Sequence, residues 1–281
     1  MSLALTRKVR RTAMVVCLAG AGGAATACAP QVTTQQEVQL GADYSRQINQ
    51  QLPLVRDQAT LQYVNNLGRR IAATADQRGI PYTFYVVNSD VVNAFAIPGG
   101  HIYINRGLIE RADNESQIAG VLAHEIGHVA QRHSITQMQR AQNANTALSV
   151  VYGVLLGRNP GAIEQAGIQV GGGAVFAGYT RDAEREADAV AVGYMVRSGY
   201  NPQGMVQLFQ KLQQLQQRQP STVERWFATH PSEQERVANT QAAISRTPGA
   251  QNANLVTDTR GFQSFRARVA ALQPVPTDRR R

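Results

Sequence analysis

Two histidines four residues apart, His124 and His128, with Glu125 beside the first, constrain this chain more than anything else in it. On an α-helix, positions i and i+4 lie on one face about one turn apart, so both imidazoles can reach a single metal ion. Glu125 projects about 100° away, where a carboxylate can take a proton from a water at that metal. The competing reading is a pair of surface histidines making ordinary hydrogen bonds. The surroundings argue against it. Asn114 followed by Gln117 is a helix-start signature. Ile118, Val121, Leu122, Ile126 and Val129 then recur at helical spacing. The motif falls inside a strongly apolar helix, where unpaired polar groups are costly. Gly127 costs that helix about 1 kcal/mol relative to alanine, which makes sense if another element approaches closely beside the metal.

A catalytic zinc usually keeps three protein ligands and one open position. The extended H-E-x-x-H-x-x-G-x-x-H pattern needs glycine at position 131 and histidine at 134. The chain has Gln131 and Ser134, and His133 is one place out of register. The better candidate is Glu184, in the run Arg181-Asp182-Ala183-Glu184-Arg185-Glu186-Ala187-Asp188. Glu184 and Asp188 are four apart and share a helix face. One can bind the metal while the other holds a ligand histidine from behind. Spacing alone leaves a second reading open, a solvated helix start whose acids suit the dipole.

Taken together, His-Glu-Ile-Gly-His at 124–128 and Thr-Arg-Asp-Ala-Glu-Arg-Glu-Ala-Asp at 180–188 resemble the HtpX/BepA-like (Ste-type) family of zinc metallopeptidases. These are gluzincins, whose third ligand is the glutamate of an E-x-x-x-D motif on a later helix. The stretch Asn93 to Tyr103, the Leu122-Ala123 lead-in, and Thr229-His230-Pro231 with Glu235-Arg236 after it match the same family. The resemblance spans roughly residues 35–245. It implies an α+β, mostly helical, zincin-type domain with a small antiparallel sheet or hairpin beside the H-E-x-x-H helix. It implies one Zn2+ per chain on His124, His128 and Glu184, with Glu125 as general base and Asp188 as a support behind the ligands. Asn93, Ala94, Phe95 and Ala96 would offer an edge to which extended substrate adds as a strand. His230 would either occupy the open zinc position and hold the enzyme latent, or assist near the scissile carbonyl. His101 and His133 are assigned structural or surface roles.

Residues 1–27 read as an export signal. Arg7, Lys8, Arg10 and Arg11 form the basic start, and Thr12 to Ala27 is a short run rich in small apolar residues, too short for a membrane span. Ala25-Thr26-Ala27 suits ordinary signal peptidase, whereas Ala25 to Cys28 can be a lipobox. The cysteines favour lipidation. Cys17 leaves with the signal, and Cys28 alone cannot form an internal disulfide. Ala29 rather than aspartate directs such a lipoprotein to the periplasmic side of the outer membrane; a soluble periplasmic protein is the alternative. Residues 28–33 are a tether, 34–248 the metallopeptidase domain, and 249–281 a short C-terminal extension, partly disordered. The array of helical repeats common in BepA-like relatives is not expected here, nor are the transmembrane helices of the HtpX type. The signal carries four of the nine net positive charges and no acid, so five remain. No basic patch interleaved with aromatics argues for nucleic acid.

Along the domain, Thr34 with Glu37 suggests a capping box opening a helix to about Gln50, and Leu61, Val64, Leu67 and Ile71 mark a second helix. Tyr82 to Val87 reads as a strand. Phe95, Ile97, Ile102 and Ile104 around Pro98-Gly99-Gly100 read as a hairpin. An apolar run over 144–157 suggests a buried helix, and the glycines between Gly157 and Gly178 suggest a mobile lid or a loosely ordered loop. Thr180 caps the Glu184 helix, Asn201-Pro202 opens another through a glutamine-rich run, and Ser232 with Glu235 places His230 just before a helix start. Residues 262–272 suggest a last short helix. The expected activity is that of a zinc-dependent endopeptidase of the bacterial cell envelope, acting on unfolded or misassembled envelope proteins. The rivals are an outer-membrane assembly factor or chaperone with a latent or structural zinc site, and a zinc hydrolase of cell-wall peptide links.

Overall fold

The computed structural model describes residues 32–144, 178–230 and 235–273. These belong to one unit, Val32–Arg281. The expected export signal, Cys28, most of the tether, the apolar run beyond residue 144, the glycine-rich stretch and Ser232 lie outside the described residues. No described helix is long and apolar enough to cross a membrane.

Helix α1 (Thr34–Gln51) is closed by a capping box, one residue earlier than expected. Gln36 N–H donates to Thr33 Oγ1, and Thr33 N–H donates to Gln36 Oε1. Glu37 is thereby free to turn inward. It is buried between Arg78, 3.1 Å away, and Arg132, 3.0 Å away. Helix α2 (Gln58–Ala75) starts on the Asp57 carboxylate, which accepts from Thr60 N–H at 2.8 Å. Val64, Leu67 and Ile71 are buried at the spacing the sequence shows.

Three strands follow: β1 (Thr83–Val87), β2 (Ala94–Ile97) and β3 (His101–Asn105). A one-turn 3-10 helix at Pro98–Gly100 joins β2 to β3 as an antiparallel hairpin, as expected. Gly99 (φ 77°) and Gly100 (φ 85°) supply the left-handed backbone the turn needs. The sheet is not purely antiparallel. Its order is β1-β3-β2, with β1 parallel to β3. Residues 88–93 carry the chain past the place that β3 later fills, so β3 enters the middle and β2 becomes an edge. Alternation sorts the two faces. Phe84, Val86, Ala94, Ala96, Ile102 and Ile104 join the main core, while Val87, Phe95, Ile97 and Tyr103 face the other way, with Leu40, Tyr44 and Ile48 of α1 packed on them.

After α3 (Arg106–Arg111) comes α4 (Glu115–Ala130), which carries the H-E-x-x-H motif. Asn114 caps it by accepting from Gln117 N–H, but the Gln117 side chain accepts from Asp113 N–H rather than closing the box on Asn114. The further helices among the described residues are α5 (His133–Ala144), α6 (Arg181–Arg197), α7 (Gln203–Arg218), α8 (Pro220–Thr229), α9 (Arg236–Arg246) and α10 (Arg260–Ala270). Thr180 caps α6 as expected, accepting from Ala183 N–H. Helix α8 was not legible in the sequence. Pro220 opens it immediately after α7, so His230 also caps the C-terminal end of a helix, six positions before α9 begins.

Helix α6 crosses α4 at Gly127. A Cβ there would lie 3.2 Å from the Ala187 carbonyl oxygen and 3.3 Å from its Cα. That is the close approach anticipated from a glycine in mid-helix, and it lays Glu184 and Asp188 over His124 and His128. The protein is α+β and mostly helical, a small mixed sheet lying beside the motif helix.

Candidate metal centre

Four buried residues bring one potential ligand atom each within 4.8 Å of one another: His124, His128, Glu184 and His230. His124 Nε2 and His128 Nε2 are 3.0 Å apart, as i and i+4 on α4 require. Glu184, on the first turn of α6, places Oε1 3.2 Å from His128 Nε2 and Oε2 3.5 Å from His124 Nε2. His230, at the end of α8, places Nδ1 3.4 Å from His124 Nε2 and 3.2 Å from Glu184 Oε1. Ligands about 2.1 Å from a tetrahedral zinc stand roughly 3.4 Å from each other. The observed separations bracket that edge.

Each imidazole has a partner for its other nitrogen, which fixes the ring and its tautomer. His124 Nδ1 lies 2.8 Å from Asp188 Oδ1. His128 Nδ1 lies 2.9 Å from His133 Nδ1. His230 Nε2–H donates to the Ala94 carbonyl on β2 at 3.2 Å. All three rings therefore point their remaining nitrogen toward the same centre. Tyr179 stacks on the His128 ring, with centroids 3.7 Å apart, and its hydroxyl is bonded to Ser134 Oγ.

Charge points the same way. Glu125, Glu184 and Asp188 are three buried carboxylates, and among the described residues Arg236 is the one permanent cation that pairs with them. Arg236 holds Asp188 through two bonds of 2.7 Å and reaches Glu184 Oε2 at 3.2 Å. Burial works against the charge on Glu184, yet His230, His124 and Arg236 hold its carboxyl well below the usual range. Burial likewise opposes charge on Asp188, and Arg236 and His124 outweigh it. For His124 burial disfavours the proton, but Glu184 and Asp188 raise its pKa to about 10. Burial, with His124 beside it, pushes His128 well below 6.5. With neutral histidines the cluster holds two more negative charges than positive ones. A divalent cation removes that imbalance, and the donor set of imidazole and carboxylate suits zinc. The residues fit a metal.

Glu125 stands apart. It is fully buried, and neither of its oxygens accepts a hydrogen bond among the described residues. The nearest charge is His230 Nε2, 3.4 Å from Oε1. Burial raises its pKa, against the pull of His230 and His124. A carboxylate poised upward and left without a donor can take a proton from a water.

The sequence had brought His124, Glu125, His128, Glu184, Asp188 and His230 into one site, and the structure places them there. Ala94 joins them through its carbonyl. Asn93 is buried and accepts from Thr229 Oγ1, tying β2 to the residue before His230. Phe95 faces away, stacked on Tyr103 with centroids 4.7 Å apart, and Ala96 lies in the main core. His133, Tyr179 and Arg236 were not anticipated in these positions. A cavity of about 600 Å³ between Tyr63, Arg70, Glu115 and Tyr200 is lined by none of these residues.

The model of peptidase family M48 matches residues 58–244, which is most of the described chain and includes every ligand-capable residue of the cluster. The chain belongs to peptidase family M48. As an M48 metallopeptidase it is 35% identical over 219 residues to the beta-barrel assembly-enhancing protease of Yersinia pestis, covering 76% of this chain and 45% of that protein. It is 34% identical over 209 residues to the corresponding Escherichia coli (strain K12) protein, covering 73% and 43%. It is 32% identical over 189 residues to the metalloprotease YcaL of Escherichia coli (strain K12), covering 63% and 70%. The chain thus spans less than half the length of the assembly-enhancing proteases it matches.

Proposed function

We propose that this M48 metallopeptidase is a zinc-dependent endopeptidase of the bacterial cell envelope that cuts unfolded or misassembled envelope proteins. The observation that carries the reading is the pairing of a four-residue donor set with a buried, donor-free carboxylate beside it. His124, His128 and Glu184 would hold the zinc, and Asp188 orients His124. A bound zinc would polarise the scissile carbonyl and lower the pKa of water toward about 7. Glu125 takes the proton of the attacking water and returns it to the leaving amine. The substrate lies along the Asn93–Ala96 edge in extended form, held by backbone pairing, which suits unfolded chains of varied sequence. Its place beneath the outer membrane rests on the export signal, on a lipid at Cys28, and on the relatives named for β-barrel assembly.

His230 acts here as a latch. Its Nδ1 stands where a substrate oxygen would approach, and its Nε2–H holds the Ala94 carbonyl on the edge that substrate would use. With His124, Glu125, Glu184 and His230 all at or below 1% exposure, the closed arrangement admits no peptide. Departure of His230 opens the fourth ligand position and the edge together. The same closure favours a second reading, an assembly factor whose site stays shut. Both are tested by incubating the exported chain with a chemically unfolded, labelled protein, beside His230→Ala, with zinc per chain recorded. Release of the latch should raise cleavage about 10-fold or more with zinc retained. Zinc-loaded protein that stays inert in both forms would leave the assembly factor standing.

A further inference from the structure

The two motif histidines are held from behind by different chemistry. Behind His124 stands the carboxylate of Asp188, whereas behind His128 stands another imidazole, 2.9 Å away between the two Nδ1 atoms. One proton can lie between two such nitrogens. If His128 Nε2 is to offer its lone pair to the centre, that proton must sit on His128 Nδ1, and His133 Nδ1 must accept it. The proton of His133 is then on Nε2, where Glu186 Oε2 lies 3.3 Å away to receive it. In this order both donors of the chain His128–His133–Glu186 meet acceptors, and it ends at a half-exposed carboxylate; the reverse order would turn His128 Nε2–H toward Glu184 Oε1, 3.2 Å away, and leave no lone pair there for a metal.

The backbone is shaped to make this contact. Between α4 and α5, Arg132 adopts φ 59°, the only positive φ outside glycine among the described residues. A left-handed conformation costs an ordinary residue about 1 kcal/mol or more. It is held in place by Glu37, which bonds Arg132 Nε, and by the Val32 carbonyl, which accepts from Nη2. The turn sends His133 back beneath His128, and the next residue, Ser134, holds the Tyr179 hydroxyl whose ring covers the His128 face.

We propose that His133, backed by Glu186, is a positioning residue for the metal centre. It accepts the Nδ1 proton of His128 and so keeps His128 Nε2 as the nitrogen that faces the metal. This rests on the reading of His128 as a ligand.

The test is zinc affinity of the exported chain, measured by competition with a chromophoric chelator, for the parent, His133→Phe and His133→Asn. Unfolding midpoints are taken in excess chelator. Phenylalanine keeps the ring volume and removes the acceptor, whereas the asparagine side-chain oxygen stands near the place of Nδ1. Zinc affinity is expected to fall by about 10–100-fold in the phenylalanine variant and to be largely restored by asparagine, with both metal-free midpoints near that of the parent. The cobalt-loaded phenylalanine variant should also show a shifted visible spectrum. Parent-like zinc affinity in His133→Phe would overturn the inference. So would a loss that tracks a lowered metal-free midpoint and is not rescued by asparagine, since that marks a packing role. A parent chain that holds no zinc would instead overturn the metal-centre reading, and this inference with it.

Discussion

Glu125→Gln is expected to lower kcat on an unfolded protein by about 10²–10⁴-fold while leaving zinc per chain at the parent value. The separation follows from the surroundings of this side chain. No hydrogen bond to either Glu125 oxygen exists among the described residues, so the amide breaks none. Glutamine matches glutamate in shape, and burial already disfavours the charge that it removes. The unfolding midpoint should therefore stay level or rise slightly. Paired rates and metal contents on one preparation check the claim. Retained cleavage would place the base elsewhere, and loss of zinc together with rate would make Glu125 part of the metal's hold.

Arg236→Met should be the most destabilising single change at the centre. It leaves Asp188 and Glu184 buried without the guanidinium that spans them, and it also removes the cation seated over Phe209, 4.3 Å from the ring centre. Breaking a buried pair from one side costs about 3–5 kcal/mol, or about 10 °C in midpoint for a domain of this size. The loss should be larger in chelator than in zinc, because a bound dication answers part of the same charge. Adding Asp188→Asn should recover part of the stability, since the stranded charge is then gone. Denaturant unfolding of the two variants and their parent, with and without zinc, reads all of this. A single variant as stable as the parent would mean that the guanidinium is not what offsets these carboxylates.

Much of the centre was legible because its parts are local. His124 and His128, and Glu184 and Asp188, each sit four apart on one helix, so spacing alone fixes a shared face. Gly127 announced the crossing that joins the two pairs. What stayed hidden depends on tertiary geometry. His133 is out of register for the extended motif, and nothing local marks Arg132 for a left-handed turn, since glycine or asparagine would be the usual sign. Arg236 stood in the sequence only as part of a family match, and its bridge to Glu184 and Asp188 depends on α9 packing on α6. The hairpin was readable from Pro98-Gly99-Gly100, but the parallel partner of β3 was not, because strand order follows from a crossover rather than from alternation. At the first helix, Thr33-Thr34-Gln35-Gln36-Glu37 holds two overlapping capping boxes, and Arg78 and Arg132 decide between them by drawing Glu37 inward.

The spread of the ligands along the chain has a consequence for when the activity can exist. His124 and His230 are 106 positions apart, and Arg236 comes later still. A chain under synthesis shows the H-E-x-x-H pair well before it shows Glu184, and the guanidinium that offsets Glu184 and Asp188 comes after both. Before Glu184 the motif offers a metal only two protein ligands, and a chain that stops short of His230 and Arg236 lacks the fourth candidate ligand and the cation that offsets Glu184 and Asp188. An intermediate ending at Gln219 should accordingly bind zinc far more weakly than the full chain; equal affinity in a chelator competition would refute this. The order of synthesis thus assembles the cluster only once the residues up to Arg236 are made, with His230 joining it after Glu184.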